Sequence, residues 1–301
     1  MLDLKSQEIE SKRTGDTPAD DSSGRPAFKT VAIKPSRNRC IGRVIAFLID
    51  DTSIQMAAIN HRCIQRKVLD IQKVYIKHDD TDEDTSAAFI SDTCSQYVRK
   101  YGGYYSTVHL TISGSETVHR IFFMPILKKR DLDSAIRFEI HRQIPFPPED
   151  CYYDYRRLFK VTSDATQRYR VALHAATKRH ISTQLKPFDE HGIEITNIYM
   201  AQCVVGMLLE DLCDYDADRY YTLVHVKKNE SEISFYRGSR LEFSHVVSTG
   251  TAMLGSGDAT RFEFFAESLA TEIQTSLDYY TGQYSRNFAS EIYLHGDLSY
   301  S

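Results

Sequence analysis

Ile121–Arg157 reads IFFMPILKKRDLDSAIRFEIHRQIPFPPEDCYYDYRR, a strand, an amphipathic helix, a proline-bounded break and a tyrosine-rich strand in direct succession. Asp131 is placed to cap the helix, because its carboxylate can accept from backbone N–H groups left unpaired in the first turn. Leu132, Ala135, Ile136, Glu139, Ile140 and Gln143 share one face at helical spacing. Pro145 stops the helix by removing a donor and holding Ile144 in extended geometry. The stretch therefore predicts one helix with a mostly apolar stripe and a sharp end.

On these residues the segment resembles the small inserted subdomain of PilM, the actin-like cytoplasmic protein of type IV pilus assembly. In that family an apolar-proline step leads into a helix of the form L-x-x-A-I-x-x-E, closed by Q-x-P-F-P and an acidic-aromatic strand. Here these positions are Leu132, Ala135, Ile136 and Glu139, then Gln143, Pro145, Phe146 and Pro147, then Asp154 and Tyr155. The likeness extends more weakly through most of the chain after Arg43, and Ser276–Tyr280 (SLDYY) is close to what the family carries in a late helix. It implies an α/β fold of the bilobed actin-like, ribonuclease H-like kind, built from duplicated βββαβ units with a small inserted subdomain and a reduced second lobe.

The element order read from the residues agrees with a duplication. Apolar strands at Arg43–Ile49, Ile54–Ile59 and Ile64–Ile76 precede a helix at Thr85–Lys100 and a strand at Tyr105–Ile112. The same order returns at Tyr220–Val226, Glu232–Arg237, Arg240–Val247, Phe262–Tyr284 and Glu291–His295. The repeat is one of element order, since residue identity between the copies is slight. Residues 1–40 are expected to form a disordered tail, too poor in large apolar side chains to offset the entropy of ordering. The first lobe is expected over 41–213 with the insertion at about 113–165, and the incomplete second lobe over 214–301. The strands at Cys151–Val161 and Arg168–Ala176 and the helix that follows are read as the rest of the first lobe.

Bulk properties exclude several classes. Hydrophobic residues at 42%, charged residues at 26% and a net charge of -4 over 301 residues give no electrostatic footprint for nucleic acid. The longest apolar run, Val44–Ile49, is far short of a membrane span, and Met1–Glu10 lacks the order of a signal peptide, so the chain is expected to stay in the cytoplasm. The six cysteines and eleven histidines show neither C-x-x-C nor H-E-x-x-H, so no metal is expected.

The resemblance also implies where ATP would sit: between the lobes, held by two hairpin turns and a glycine-rich turn. Close backbone approach to phosphate calls for Gly, Ser or Thr. Against D-x-G-x-x-S-x-K the first turn reads LIDDTSIQ, with Leu48, Asp50 and Gln55 at the changed positions and only Thr52 and Ser53 keeping small hydroxyls. Against D-x-G-x-x-x-T the second reads HVKKNES, with His225 for the acid and Lys227 for the glycine, beside Lys228. The third keeps Gly296 alone, and Ser248–Arg261 replaces a helical subdomain of the cleft wall. Thr52, Ser53, Lys227, Lys228 and Gly296 are thus the vestige of a nucleotide site, and the reading is of a chain that does not hydrolyse ATP and needs no cofactor. The competing reading is an actin-like switch or ATPase holding ATP with Mg through these atypical residues.

PilM proteins grip the short cytoplasmic tail of PilN, an inner-membrane partner, in a groove between the first large subdomain and the inserted one. Carried over, this implies a non-catalytic adaptor of a type IV pilus or related secretion assembly, peripheral to the inner membrane through partners. Ile136, Phe138, Ile140, Ile144 and Phe146 are the expected lining of such a groove. A related reading is the cytoplasmic domain of a GspL-type secretion protein. The edge left by the final strand also suggests self-association through the second lobe.

Overall fold

β1 (Ile41–Ile49), β2 (Ser53–Arg62) and β3 (Gln65–Tyr75) form an antiparallel meander, and β4 (Ser106–Ile112) and β8 (Ile195–Met200) add parallel strands beside β1. The resulting five-stranded order is β3-β2-β1-β4-β8. The computed structural model describes residues 41–62, 65–76, 83–163, 166–212, 219–255, 259–284 and 291–296. The tail expected over 1–40 lies outside them, as do Cys40, Cys63 and Cys213.

The run VIAFLI in β1 is apolar throughout because a central strand is covered on both faces. Its Ile45, Phe47 and Ile49 join Ile54, Met56 and Ala58 of β2 in the core of the first lobe. α1 (Glu83–Tyr101) and α3 (Lys178–Asp189) cover that core, with Phe47 packed edge-on against Tyr97 at 5.9 Å and Phe188 at 5.0 Å. α3 stops before a left-handed glycine, Gly192 with φ 64°, and Ile193 N–H donates back to the Phe188 carbonyl at 3.0 Å.

The second lobe repeats the plan. β9 (Tyr220–Val226), β10 (Ser231–Arg237) and β11 (Arg240–Val247) form the meander, and β12 (Glu291–Gly296) runs parallel to β9 in the order β11-β10-β9-β12. One face is covered by α5 (Ala259–Tyr284), whose Phe265, Leu269, Ile273 and Tyr280 enter the core. α4 (Ala201–Leu212) belongs to this lobe rather than to the first: Cys203 packs with Tyr221, Tyr236 and Leu241, and Tyr236 Oη donates to the Gln202 carbonyl at 2.8 Å.

The insertion is larger than 113–165. β5 (Thr117–Pro125), β6 (Cys151–Ser163) and β7 (Thr166–Thr177) make a separate antiparallel sheet in the order β5-β7-β6, so β7 lies at its centre and not in the first lobe. α2 (Lys129–Gln143) covers one face, where Leu132, Ile136 and Ile140 meet Val118, Phe122, Met124, Val171 and Leu173. α2 begins two residues before the expected cap: Lys128 is the capping position without a side-chain hydrogen bond, and Leu132 N–H already donates to its carbonyl at 2.9 Å. Asp131 therefore sits inside the first turn, where a carboxylate still favours the positive end of the helix dipole. Ile144 ends the helix in extended geometry before Pro145, as expected.

The other face of the inserted sheet carries His119, Ile121, Arg170, Ala172 and His174, paired in register across β5 and β7, and it packs toward the second lobe. There Arg170, 1% exposed, forms a two-pronged ion pair with Glu242 of β11, 0% exposed, while Tyr280 Oη donates to the same carboxylate at 3.1 Å. Removing one member of such a pair leaves the other charge buried without its counter-ion. Arg170→Ala is expected to destabilise the chain by about 3–5 kcal/mol, whereas the double change Arg170→Met with Glu242→Leu should recover most of that loss. Urea unfolding followed by circular dichroism checks both; a single variant that costs under about 1 kcal/mol would show the pair to be solvated.

Candidate functional site

The three turns that the sequence marked do converge. A cavity of about 490 Å³ between the lobes is lined by Leu48–Thr52 and Gln55 from the first turn, His225, Lys227, Lys228 and Glu230 from the second, and His295 and Gly296 from the end of β12. Ser113–Glu116, leading into β5, closes it from the insertion side. Thr52, Lys227, Lys228 and Gly296 thus face one space, while Ser53 is buried and does not line it.

The first turn is occupied by its own side chain. Asp50 Oδ1 accepts from Thr52 N–H at 2.9 Å and Ser53 N–H at 2.7 Å, and from the Thr52 hydroxyl at 3.0 Å. Ser53 Oγ lies 3.2 and 3.1 Å from the two carboxylate oxygens. These are the backbone donors that a phosphate cradle would offer, and here a carboxylate in the glycine's place consumes them. Any incoming anion would have to displace Asp50 and then tolerate its charge.

The second turn is likewise closed upon itself. Lys227 Nζ donates to Glu230 Oε1 at 3.0 Å and to Ser113 Oγ at 3.2 Å, so its charge is met by a neighbour and tied to the edge of the insertion. The loop after β11 packs on the same turn, with Thr251 N–H and Ala252 N–H donating to the carbonyls of Lys227 and Lys228 at 2.9 and 2.8 Å. Gly250 permits this approach, since a Cβ there would meet the Lys228 carbonyl oxygen and would lie 2.7 Å from the Asn229 carbonyl carbon. Gly296, with φ 115°, has a similar structural reason: a Cβ would run into the Val226 carbonyl oxygen and lie 3.0 Å from the His225 ring.

His225 and His295 stack at the cleft floor with ring centroids 4.5 Å apart and planes 9° from parallel. Burial first, and then the neighbouring His295 ring, pushes His225 down to about 3. Behind them Glu232 is buried opposite His225 in the β9–β10 register, and burial lifts its carboxyl to about 7. Where the family's second turn is expected to carry an acid, this chain has a neutral ring that offers no charge to a metal ion.

The expected peptide-binding residues fare differently. Ile136, Ile140 and Ile144 are 0%, 1% and 6% exposed in the core beneath α2, because that stripe is what holds the helix to its own sheet. Phe146 is half-buried against the same core, and Phe138 is 72% exposed. An apolar groove of about 110 Å³ instead lies where the ends of β4 and β8 and helix α3 meet β6 and β7 of the insertion. Ile112, Ile181, Ile198 and Tyr199 form its first-lobe wall, and Tyr152 and Asp154 face them from β6. The tyrosine-rich strand was the visible signal for this wall; the first-lobe residues carried none.

A family model for the type IV pilus assembly protein PilM matches residues 49–256, more than two thirds of the chain. The chain belongs to the PilM family. Its fold is similar to a structure described as the PilM-PilN type IV pilus biogenesis complex, with a TM-score of 0.68, 14% identity, and coverage of 85% of this chain and 82% of that one. Weaker likeness is found to a Bacteroides thetaiotaomicron protein with an actin-like ATPase fold, at a TM-score of 0.45, 11% identity and coverage of 87% and 84%. The cytoplasmic domain of EpsL from the Vibrio cholerae type II secretion system follows, at 0.40, 10%, and 72% and 76%. No curated protein matches the chain. The architecture is the bilobed actin-like one that the resemblance implied.

The buried cleft histidine gives a pH signature. Below the ordinary histidine value of 6.5 the unfolded chain takes up a proton that folded His225 refuses, so its contribution is whole above pH 6.5 and falls as pH drops toward 3. Glu232 works in the opposite sense: folded, it holds a proton between pH 7 and its ordinary value of 4.5, and its contribution grows as pH falls through that window. His225→Asn should therefore gain on the parent by up to about 3 kcal/mol between pH 6.5 and pH 4.5. Urea midpoints across that range read the difference, and a constant offset would contradict a neutral His225.

Proposed function

We propose that this chain is a non-catalytic adaptor of a type IV pilus or related secretion assembly, holding the short cytoplasmic tail of a PilN-like inner-membrane protein in the groove between β8 and β6. In this reading it lies at the cytoplasmic face of the inner membrane through its partners and links them to other assembly components. No helix among the described residues is long and apolar enough to cross a membrane. The observation that carries the non-catalytic part is the Asp50 carboxylate, which takes the Thr52 and Ser53 donors. Several charge-assisted hydrogen bonds to phosphate, each worth roughly 1.5–3 kcal/mol, are thereby forfeited.

The partner part is supported by family membership and by a structure of a PilM-PilN complex with this fold. A groove lined by apolar and tyrosine side chains with one carboxylate suits an extended tail carrying apolar anchors and a basic residue. Exposed Ile292 and Leu294 on the edge strand β12 support self-association as an accessory property.

A second reading, a nucleotide switch with atypical loops, is favoured by the size of the cleft, which falls in the range of small-molecule sites. The two separate cleanly in titrations of the full chain. Synthetic N-terminal tails of PilN-like proteins are expected to bind with saturable fluorescence anisotropy, and Tyr199→Ala should weaken them at least tenfold while Phe138→Ala changes affinity less than twofold. Calorimetry with Mg·ATP at millimolar concentration should give no saturable heat for the parent. Asp50→Gly, which frees both turn donors, should raise nucleotide affinity. Metal-dependent saturation in the parent would overturn the adaptor reading in favour of the switch.

A further inference from the structure

Three ligand-type side chains meet where the inserted sheet faces the second lobe. His119 on β5 and His174 on β7 are direct partners in the antiparallel register, and their Nδ1 atoms lie 3.2 Å apart. Cys203 reaches in from α4, its Sγ 3.7 Å from His174 Nδ1, and all three ligand atoms fall within 4.8 Å of one another. His119 is buried, and the other two are partly so. Asp154 continues the same row on β6, directly across from His174, which places a carboxylate beside that ring.

The tautomer of His119 follows from its other nitrogen. Nε2 lies 3.2 Å from the Leu241 carbonyl oxygen, which can only accept, so Nε2 carries the hydrogen and Nδ1 presents a lone pair to His174 and Cys203. A ring N–H held by a backbone carbonyl is how metal-binding histidines are usually oriented, and a carboxylate beside the second ring is the commonest alternative. The spacing fits as well. Tetrahedral bonds of about 2.05 Å to nitrogen and 2.3 Å to sulfur imply edges of about 3.3 Å between nitrogens and about 3.6 Å between nitrogen and sulfur. Two of the three edges, at 3.2 and 3.7 Å, lie close to these values, and the third, between His119 and Cys203, is within 4.8 Å.

We propose that His119, His174 and Cys203 form a binding site for a divalent ion of the zinc class, joining the inserted subdomain to α4 of the second lobe. Two imidazoles and one thiolate are a donor set that suits such an ion and not magnesium or calcium. Binding exchanges the thiol proton for the metal, so one proton per ion is released. Because His174 and Asp154 also line the apolar groove, an ion here would stiffen one wall of it.

The test uses the full chain freed of metal by a chelator and titrated with Co²⁺ as a spectroscopic probe, then with Zn²⁺ in competition. The expected result is one ion per chain with a thiolate-to-cobalt charge-transfer band. That band should vanish in Cys203→Ser, and affinity should drop at least tenfold in His174→Asn. Cys94→Ser and Cys151→Ser should keep both. No band at stoichiometric cobalt, or a band that survives Cys203→Ser, overturns the site. X-ray absorption at the zinc edge of the unaltered chain removes any dependence on how the variants fold: a shell of two nitrogens and one sulfur supports the assignment, and one of only nitrogen and oxygen ligands rejects it.

Discussion

Arg170 and Glu242 join the inserted sheet to the second lobe at a point from which water is excluded. Desolvating two charges is costly, and the arrangement survives because the guanidinium meets the carboxylate with both prongs and Tyr280 takes a further lone pair. The consequence is positional. An ion pair of this kind tolerates little displacement, so β7 is held against β11, and with it β5, whose Arg120 guanidinium donates to the Ser244 carbonyl at 3.1 Å. The insertion is therefore a wedge with two buried faces, one under α2 and one against the second lobe, rather than an appendage of the first.

This bears on the cleft. In a bilobed fold the two lobes can use a ligand between them as the hinge element that sets their angle, and the donors of the two turns are the natural contact. Here Asp50 closes the first turn internally, and Lys227 ties the second to Glu230 and to Ser113 at the root of the insertion. Contacts that a polyanion would otherwise supply are thus made by side chains of the chain itself. The Lys227–Ser113 contact ties the second lobe to the root of the insertion without a ligand, which accords with the scaffold proposed above.

Much of the architecture was legible in the sequence for local reasons. Both meanders show as short apolar strands separated by tight polar turns, and the helix stops at Ile144 and Gly192 follow from Pro145 and from a left-handed glycine. What failed was nonlocal. The sequence alone places β7 with the first lobe, because nothing in Arg168–Ala176 shows that it pairs between β5 and β6. The apolar stripe of α2 was read as groove because periodicity identifies a face without saying what covers it, and Ile136, Ile140 and Ile144 turned out to face their own sheet. The changed residues of the phosphate turns were visible one by one, yet the capture of Thr52 and Ser53 N–H by Asp50 needed coordinates. Likewise His119, His174 and Cys203 lie at separations that no ligand-spacing rule covers, and only the sheet register and α4 bring them together.

The two regions of the molecule are coupled through the same strands. β5 begins at Thr117, three residues after Gly114, which lines the cleft, and its far face supports the wedge; β6 supplies Tyr152 and Asp154 to the groove wall and β7 supplies His174. A change that loosened the cleft turns would act on the root of β5 through Ser113 and Lys227, but the wedge behind it is fixed by Arg170 and Glu242. The two sites also share elements directly, since α3 sets His180 and Gln184 in the cleft and Ile181 in the groove, and Met200 and Ala201 stand side by side in groove and cleft. Under the adaptor reading a tail bound beside Tyr199 therefore rests on a wall that is tied to the second lobe at its far end by the buried Arg170–Glu242 pair.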